Sequence, residues 1–280
     1  MAAGSGRLRS TASRISPRIR EHNLTLVAAG VAFYAFLAFV PALIAFMSIY
    51  GLVADPDEVA DQVEDMASAL PEEVQEFIAF QLTSIASANR TGVSVTLVVA
   101  VAVALWSASG GMAALITGIH VAYEQEQPEK FVSKRGKALA LTVAAMVFVS
   151  VVVFVIAALP PLLSDAGMGS VGRTAFGILR WPLLAAVSIL GIGLLYRFAL
   201  SEDGSSRWLG VVTPGAIVAM LGWLVVSAGF SVYTANFSSY SETYGPLATI
   251  VVVLLWLWLS SLLILVGAEI DGISTEEPTS

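Results

Sequence analysis

TYGPLATIVVVLLWLWLSSLLILVGA, residues 243–268, decides the fold. Its 26 residues carry no charge and are bounded by Glu242 and Glu269. At about 1.5 Å of rise per residue, a helix of this length crosses a hydrocarbon layer of roughly 30 Å with tilt to spare. Pro246 suits the first helical turn, where its missing N–H costs nothing. Tyr244, Trp256, Trp258 and the Val, Leu and Ile runs point in every direction, so no polar stripe is left to face water. The stretch reads as a membrane span.

The rest of the chain repeats that pattern. Of 280 residues, 57% are apolar and 12% are charged, against about 25% charged in soluble domains. A soluble core could not absorb so many long uncharged runs. The absence of cysteine excludes a disulfide framework, a thiolate metal site and a thiol nucleophile. Five more spans follow: 24–54 with Pro41 in its middle, 92–122, 138–163, 174–200 and 208–235. The expected fold is therefore all-α and polytopic, with six transmembrane helices in a domain covering residues 23–272. A basic leader (1–22) precedes this domain and a short acidic tail (273–280) follows it. Ile15 and Ile19 beside Arg14 and Arg18 suggest a short interfacial turn in the leader. Residues 123–137 read as a polar loop.

Charge sets the orientation. The leader, the 123–137 segment and the 197–207 loop hold 11 of the 14 basic residues, so both termini are expected in the cytoplasm. Residues 55–90 hold nine acids and one base, Arg90, with apolar residues at helical spacing after Pro56 and Pro71. This segment reads as amphipathic, extracytoplasmic helices. Its acids lack the spacing of a calcium loop, so they are expected to form a solvated face.

The opening segment NLTLVAAGVAFYAFLAFVPALI, the Trp106 motif with Tyr123 after it, and the closing YGPLATIVVVLLWLWLSSLLILVGAEI resemble the YihY/BrkB family of six-span prokaryotic inner-membrane proteins. Tyr244-Gly245, Trp256, Ser260 and Gly267-Ala268-Glu269 carry the most specific part of the likeness. The family bears two historical labels. One is ribonuclease BN, an activity later assigned to a different protein, and the other is a serum-resistance virulence factor. The resemblance thus implies fold and location more than activity.

The residues argue against an enzyme. Metal-assisted RNA hydrolysis needs clustered His and carboxylate ligands in a wet site. The chain has two histidines, His22 and His120, short loops on the cytoplasmic side, and no HxE, GxSxG or GxxxxGK pattern. No cofactor or metal is expected. Two classes remain. A transporter or lipid translocator is favoured by Pro41, by Pro214 and by the Ser/Gly-rich run Trp106–Met112, because interrupted helices mark midplane sites. Tyr34, Pro41, Trp106, Ser107, Ser109, Tyr244 and Glu269 are the candidate substrate path. Gly110, Ala114 and Gly118 recur every four residues and are expected to let a neighbouring helix approach. No carboxylate, Lys or Arg is expected in mid-membrane, which points to a lipid, neutral or passively moving substrate. Glu269 is expected at the inner interface, at a helix end. The alternative class is an assembly protein docking envelope partners through its acidic outer helices. Expected partners are membrane lipids, with a second copy of the chain or an envelope protein as further candidates, and no nucleic acid.

Overall fold

The computed structural model describes residues 15–53, 90–125, 131–153, 170–200, 210–235 and 246–276. Among these residues all regular structure is helical. A short helix, α1 (Ile15–Glu21), leads into six long ones. These are α2 (Leu24–Val53), α3 (Arg90–Ala122), α4 (Phe131–Val153), α5 (Ser170–Leu200), α6 (Pro214–Ala235) and α7 (Pro246–Glu276). The acidic segment 55–89 and Tyr244 lie outside the described residues.

Among the described residues, four segments are long and apolar enough to cross a membrane: Val98–Ala122, Trp181–Leu200, Pro214–Tyr233 and Ile250–Thr275. The pair α1 and α2, bent by 62° at His22–Asn23, adds a fifth. Helices are the natural solution there, because each satisfies its own backbone hydrogen bonds where no water can.

The bundle reverses the usual distribution of side chains. Its tightest contacts involve Gly and Ala, while Leu26, Phe33, Val98, Val147, Leu179, Leu183, Leu221 and Val225 are exposed. Lipid attracts Leu as well as another helix does, so association depends on close packing instead. α3 touches α2, α4, α5 and α7, and α7 touches α2, α3 and α6. α2 lies along α3, where a Cβ on Gly110 would sit 2.8 Å from the Tyr34 ring. One on Gly118 would sit 2.6 Å from Leu265 of α7 and 2.9 Å from Val27 of α2. Where α6 crosses α7, Gly215 and Gly267 bring the two backbones together: each glycine's added Cβ would strike the other's carbonyl oxygen.

These contacts gather the starts of α2, α4 and α6 and the ends of α3, α5 and α7 at one end of the bundle. α1 and the end of α7 meet there through Arg18 and Glu269. Three boundaries differ from the sequence reading. Residues 131–137, read as loop, form the first two turns of α4, so Lys134, Arg135 and Lys137 are helical. α6 begins at Pro214, after Thr213 caps its N-terminus through Ala216 N (3.1 Å). α7 runs to Glu276, through part of the expected tail, so Glu269 is a helix-interior residue. α2 continues as one helix past Pro41.

Gly267→Ala should lower stability by about 1–3 kcal/mol, the cost of overpacking. The added methyl meets the Tyr196 hydroxyl at 2.5 Å and the Ala219 Cβ at 2.8 Å. Gly229→Ala, with nothing within 4 Å, should be neutral or stabilising by up to about 1 kcal/mol. Thermal unfolding of both purified variants in detergent checks the contrast.

Candidate functional site

A buried polar cluster occupies the end where both terminal helices meet. Glu269 of α7 is fully buried, and Arg18 of α1 is 8% exposed. Arg18 Nε lies 3.0 Å from Glu269 Oε1, and His22 Nδ1 lies 3.0 Å from Glu269 Oε2. The Arg18 guanidinium also pairs with Glu124, just past α3. One buried carboxylate thus gathers the leader helix and the turn that follows it.

Two left-handed residues aim these groups. Asn23 (φ 51°) ends α1 and starts α2, its carbonyl accepting from Leu26 and Val27. Glu124 (φ 50°) closes α3 with paired bonds, Gln125 N to His120 O and Glu124 N to Val121 O. That is the Schellman arrangement, in which glycine usually takes this position. A side chain there costs about 1–2 kcal/mol. Glycine would relieve the backbone but could not reach Arg18.

A second carboxylate, Asp271, is 2% exposed and stands two residues beyond Glu269, about 200° around the helix. Its Oδ1 accepts from Gly215 N at 2.7 Å. Asp271 therefore supplies an acceptor to the open N-terminus of α6, where the helix dipole favours negative charge. Tyr123 lies near Asp271, its hydroxyl buried and short of hydrogen-bond geometry. Burial, then the Asp271 charge, pushes the Tyr123 phenol well above its ordinary range, so it stays protonated at physiological pH. Tyr196 donates to Ile264 O at 2.6 Å, and His120 Nδ1 lies 3.0 Å from Ile116 O. His120 is buried.

A second feature lies between α3 and α4. Ala108, Met112, Thr142, Ala145, Met146 and Val149 line an apolar groove of about 450 Å³. Met146 and Val149 are also exposed on the outer surface, so the groove opens sideways. Beside it, the Arg135 guanidinium stacks 4.3 Å from the centre of the Trp106 ring. Its Nη2 donates to Trp106 O at 2.8 Å. The sequence reading expected no Arg at mid-membrane depth, yet Trp106 lies about 24 Å along α3 from Ala122. The reason is the early start of α4, which converts a loop arginine into one that reaches along a helix.

The expected path residues do not meet at one point. Tyr34 lies on Gly110 and forms an edge contact with Phe33 at 5.8 Å. Ser109 is buried, its hydroxyl donating to Trp106 O at 2.8 Å within its own helix. Ser107 and Ala114 are half-buried, and Trp106 is exposed beside the groove. Pro41 lies farther along α2, and Glu269 belongs to the end cluster. Sequence reasoning named Glu269 but missed Arg18, Asp271 and Arg135. The only sequence signal for Asp271 was its spacing of two from Glu269 after an uncharged span.

These features define a polytopic, all-helical integral membrane protein whose helices pack through small residues. Residues 15–279 match the virulence factor BrkB family, and the chain belongs to that family. One relative, named "Putative ribonuclease-like protein YfkH", from Bacillus subtilis (strain 168), is 31% identical over 251 residues, covering 88% of each chain. No solved structure matches.

Arg18→Gln should cost about 3 kcal/mol or more, because it removes a partner from the fully buried Glu269. Arg18→Gln combined with Glu269→Gln should cost less than the two single variants summed. A double-variant cycle on unfolding in detergent measures that coupling.

Proposed function

We propose that this protein is a lipid translocator of the plasma membrane, with both termini in the cytoplasm. The sideways-open groove between α3 and α4 carries this reading. A path for a hydrophilic solute would be enclosed by the bundle and lined with polar groups. Here the lining is Ala, Met and Val with one threonine, and Thr142 donates to Ala138 O in its own helix. Such a trough suits an acyl chain entering from the bilayer. The concentration of basic residues toward the end that holds α1 supports the cytoplasmic assignment of that end.

We further propose that the protein works without hydrolytic chemistry, although a relative is named ribonuclease-like. The carboxylates at the end cluster have packing partners: Glu269 holds Arg18 and His22, and Asp271 caps α6. Among the described residues, no group of three or more His, Asp and Glu is placed to hold a metal ion.

Proteoliposomes containing the purified protein should move fluorescent phospholipid between leaflets faster than empty vesicles do. Met146→Trp, which fills the groove, should reduce that rate severalfold while the protein remains folded. Movement no faster than in empty vesicles would overturn the reading.

A further inference from the structure

We propose that Arg135 is the headgroup site of the groove and that it selects anionic phospholipid, by contact with the phosphate. The inference rests on the groove of the translocation reading and adds a substrate class to it.

Position is the first ground. Arg135, Ala138, Thr142, Ala145 and Val149 recur at three- and four-residue spacing along α4, so they share one helix face. Thr142, Ala145 and Val149 line the groove, and Arg135 stands at the head of the same stripe. On α3 the guanidinium lies against Trp106, two residues from Ala108 of the lining. The guanidinium therefore lies beside Ala108 of the lining, where an amphiphile whose chain occupies the groove meets it.

The second ground is the direction in which Arg135 reaches. The adjacent Lys134 donates to Thr117 Oγ1 at 2.9 Å, whereas Arg135 donates to Trp106 O. Those two partners are 11 residues apart on α3, or about 16 Å along the helix. The neighbouring cations thus diverge, and Lys134 is the one that stays toward the end of the bundle. Snorkelling to the nearer interface would bring both side chains the same way.

Unused charge is the third ground. Among the described residues the partners of Arg135 are a carbonyl and an aromatic face, both neutral. Among the described residues no carboxylate faces it, and the facing helix α3 contains no acid from Arg90 to Ala122. Arg135 Nε is buried without a hydrogen-bond partner. A cation in an apolar setting is costly until an anion meets it. Guanidinium forms paired bonds to phosphate oxygens, which an ammonium group cannot do as a fork. Phosphatidylcholine also carries a phosphate, but its own choline neutralises it. An anionic headgroup such as phosphatidylglycerol leaves that charge for Arg135.

The test is native mass spectrometry of the intact protein with equimolar dioleoyl phosphatidylglycerol and dioleoyl phosphatidylcholine. Wild type should retain phosphatidylglycerol about fivefold over phosphatidylcholine, the scale of one cation–anion contact. Arg135→Gln should bring the ratio close to one, and Arg135→Lys should restore part of it. Met146→Trp should reduce retention of both lipids together. A wild-type ratio near one would overturn the inference without needing any variant. A preference that survives in Arg135→Gln would also overturn it, by assigning the selectivity to other cations. The translocation reading is tested separately. Headgroup preference without lipid movement in proteoliposomes would reject transport and keep the site, while movement without preference would do the reverse.

Discussion

The buried carboxylate of Glu269 is the constraint on which the closed end of this protein depends. An ionised carboxylate taken from water costs several kcal/mol unless cations and hydrogen bonds replace the lost hydration. Arg18 and His22 provide that replacement, and both come from the segment just before α2. The leader helix is therefore part of the bundle. Its docking also accounts for the 62° bend at His22–Asn23, because α1 must turn across the helix ends for Arg18 to reach α7. Asp271 does comparable work one step along, joining α7 to the start of α6. Two acids on one helix thus tie together elements from the beginning and the later part of the chain.

That ionic end complements a bundle held elsewhere by contact between small residues. Between apolar helices in lipid there is little hydrophobic force, so a helix pair gains by approaching closely. Gly215 and Gly267 illustrate the consequence: α6 and α7 come so close that neither position has room for a methyl group. The same closeness brings Asp271 within reach of the Gly215 amide. Packing and polar capping at this crossing are one arrangement, and a side chain at either glycine would disturb both.

How much of this was legible in the sequence follows from the physics of each element. The helical, membrane-embedded fold was readable because long uncharged runs have one solution in lipid. The end of α7 was not, because Glu269 and Asp271, coming directly after an uncharged run, look like a helix end at the membrane interface. Burying them depends on Arg18, more than 200 residues earlier, and on the N-terminus of α6. No local pattern encodes those partners. Arg18 was legible as a basic leader residue and nothing more, since its neighbours Ile15 and Ile19 fit an interfacial turn equally well. The boundary of α4 failed for a related reason. Three cations within Ser133–Lys137 suggest a loop, yet helix propensity for Lys and Arg is good and long side chains can carry their charges elsewhere.

Arg135 shows what that boundary error conceals. In a loop, its charge would contribute only to the count that orients the protein. Within the first turns of α4, the same residue heads the stripe that lines the groove, and its guanidinium lies on Trp106. The Ser/Gly-rich composition around Trp106 is unusual for a span. The structure assigns its parts different work: Ser109 bonds its own helix, Gly110 admits Tyr34, and Trp106 turns outward to meet the arginine. The helix thereby packs tightly against α2 on one face while leaving an open trough against α4 on another. A uniformly bulky helix would have lost the close contact with α2, and a uniformly small one would have given Arg135 no aromatic face beside the groove.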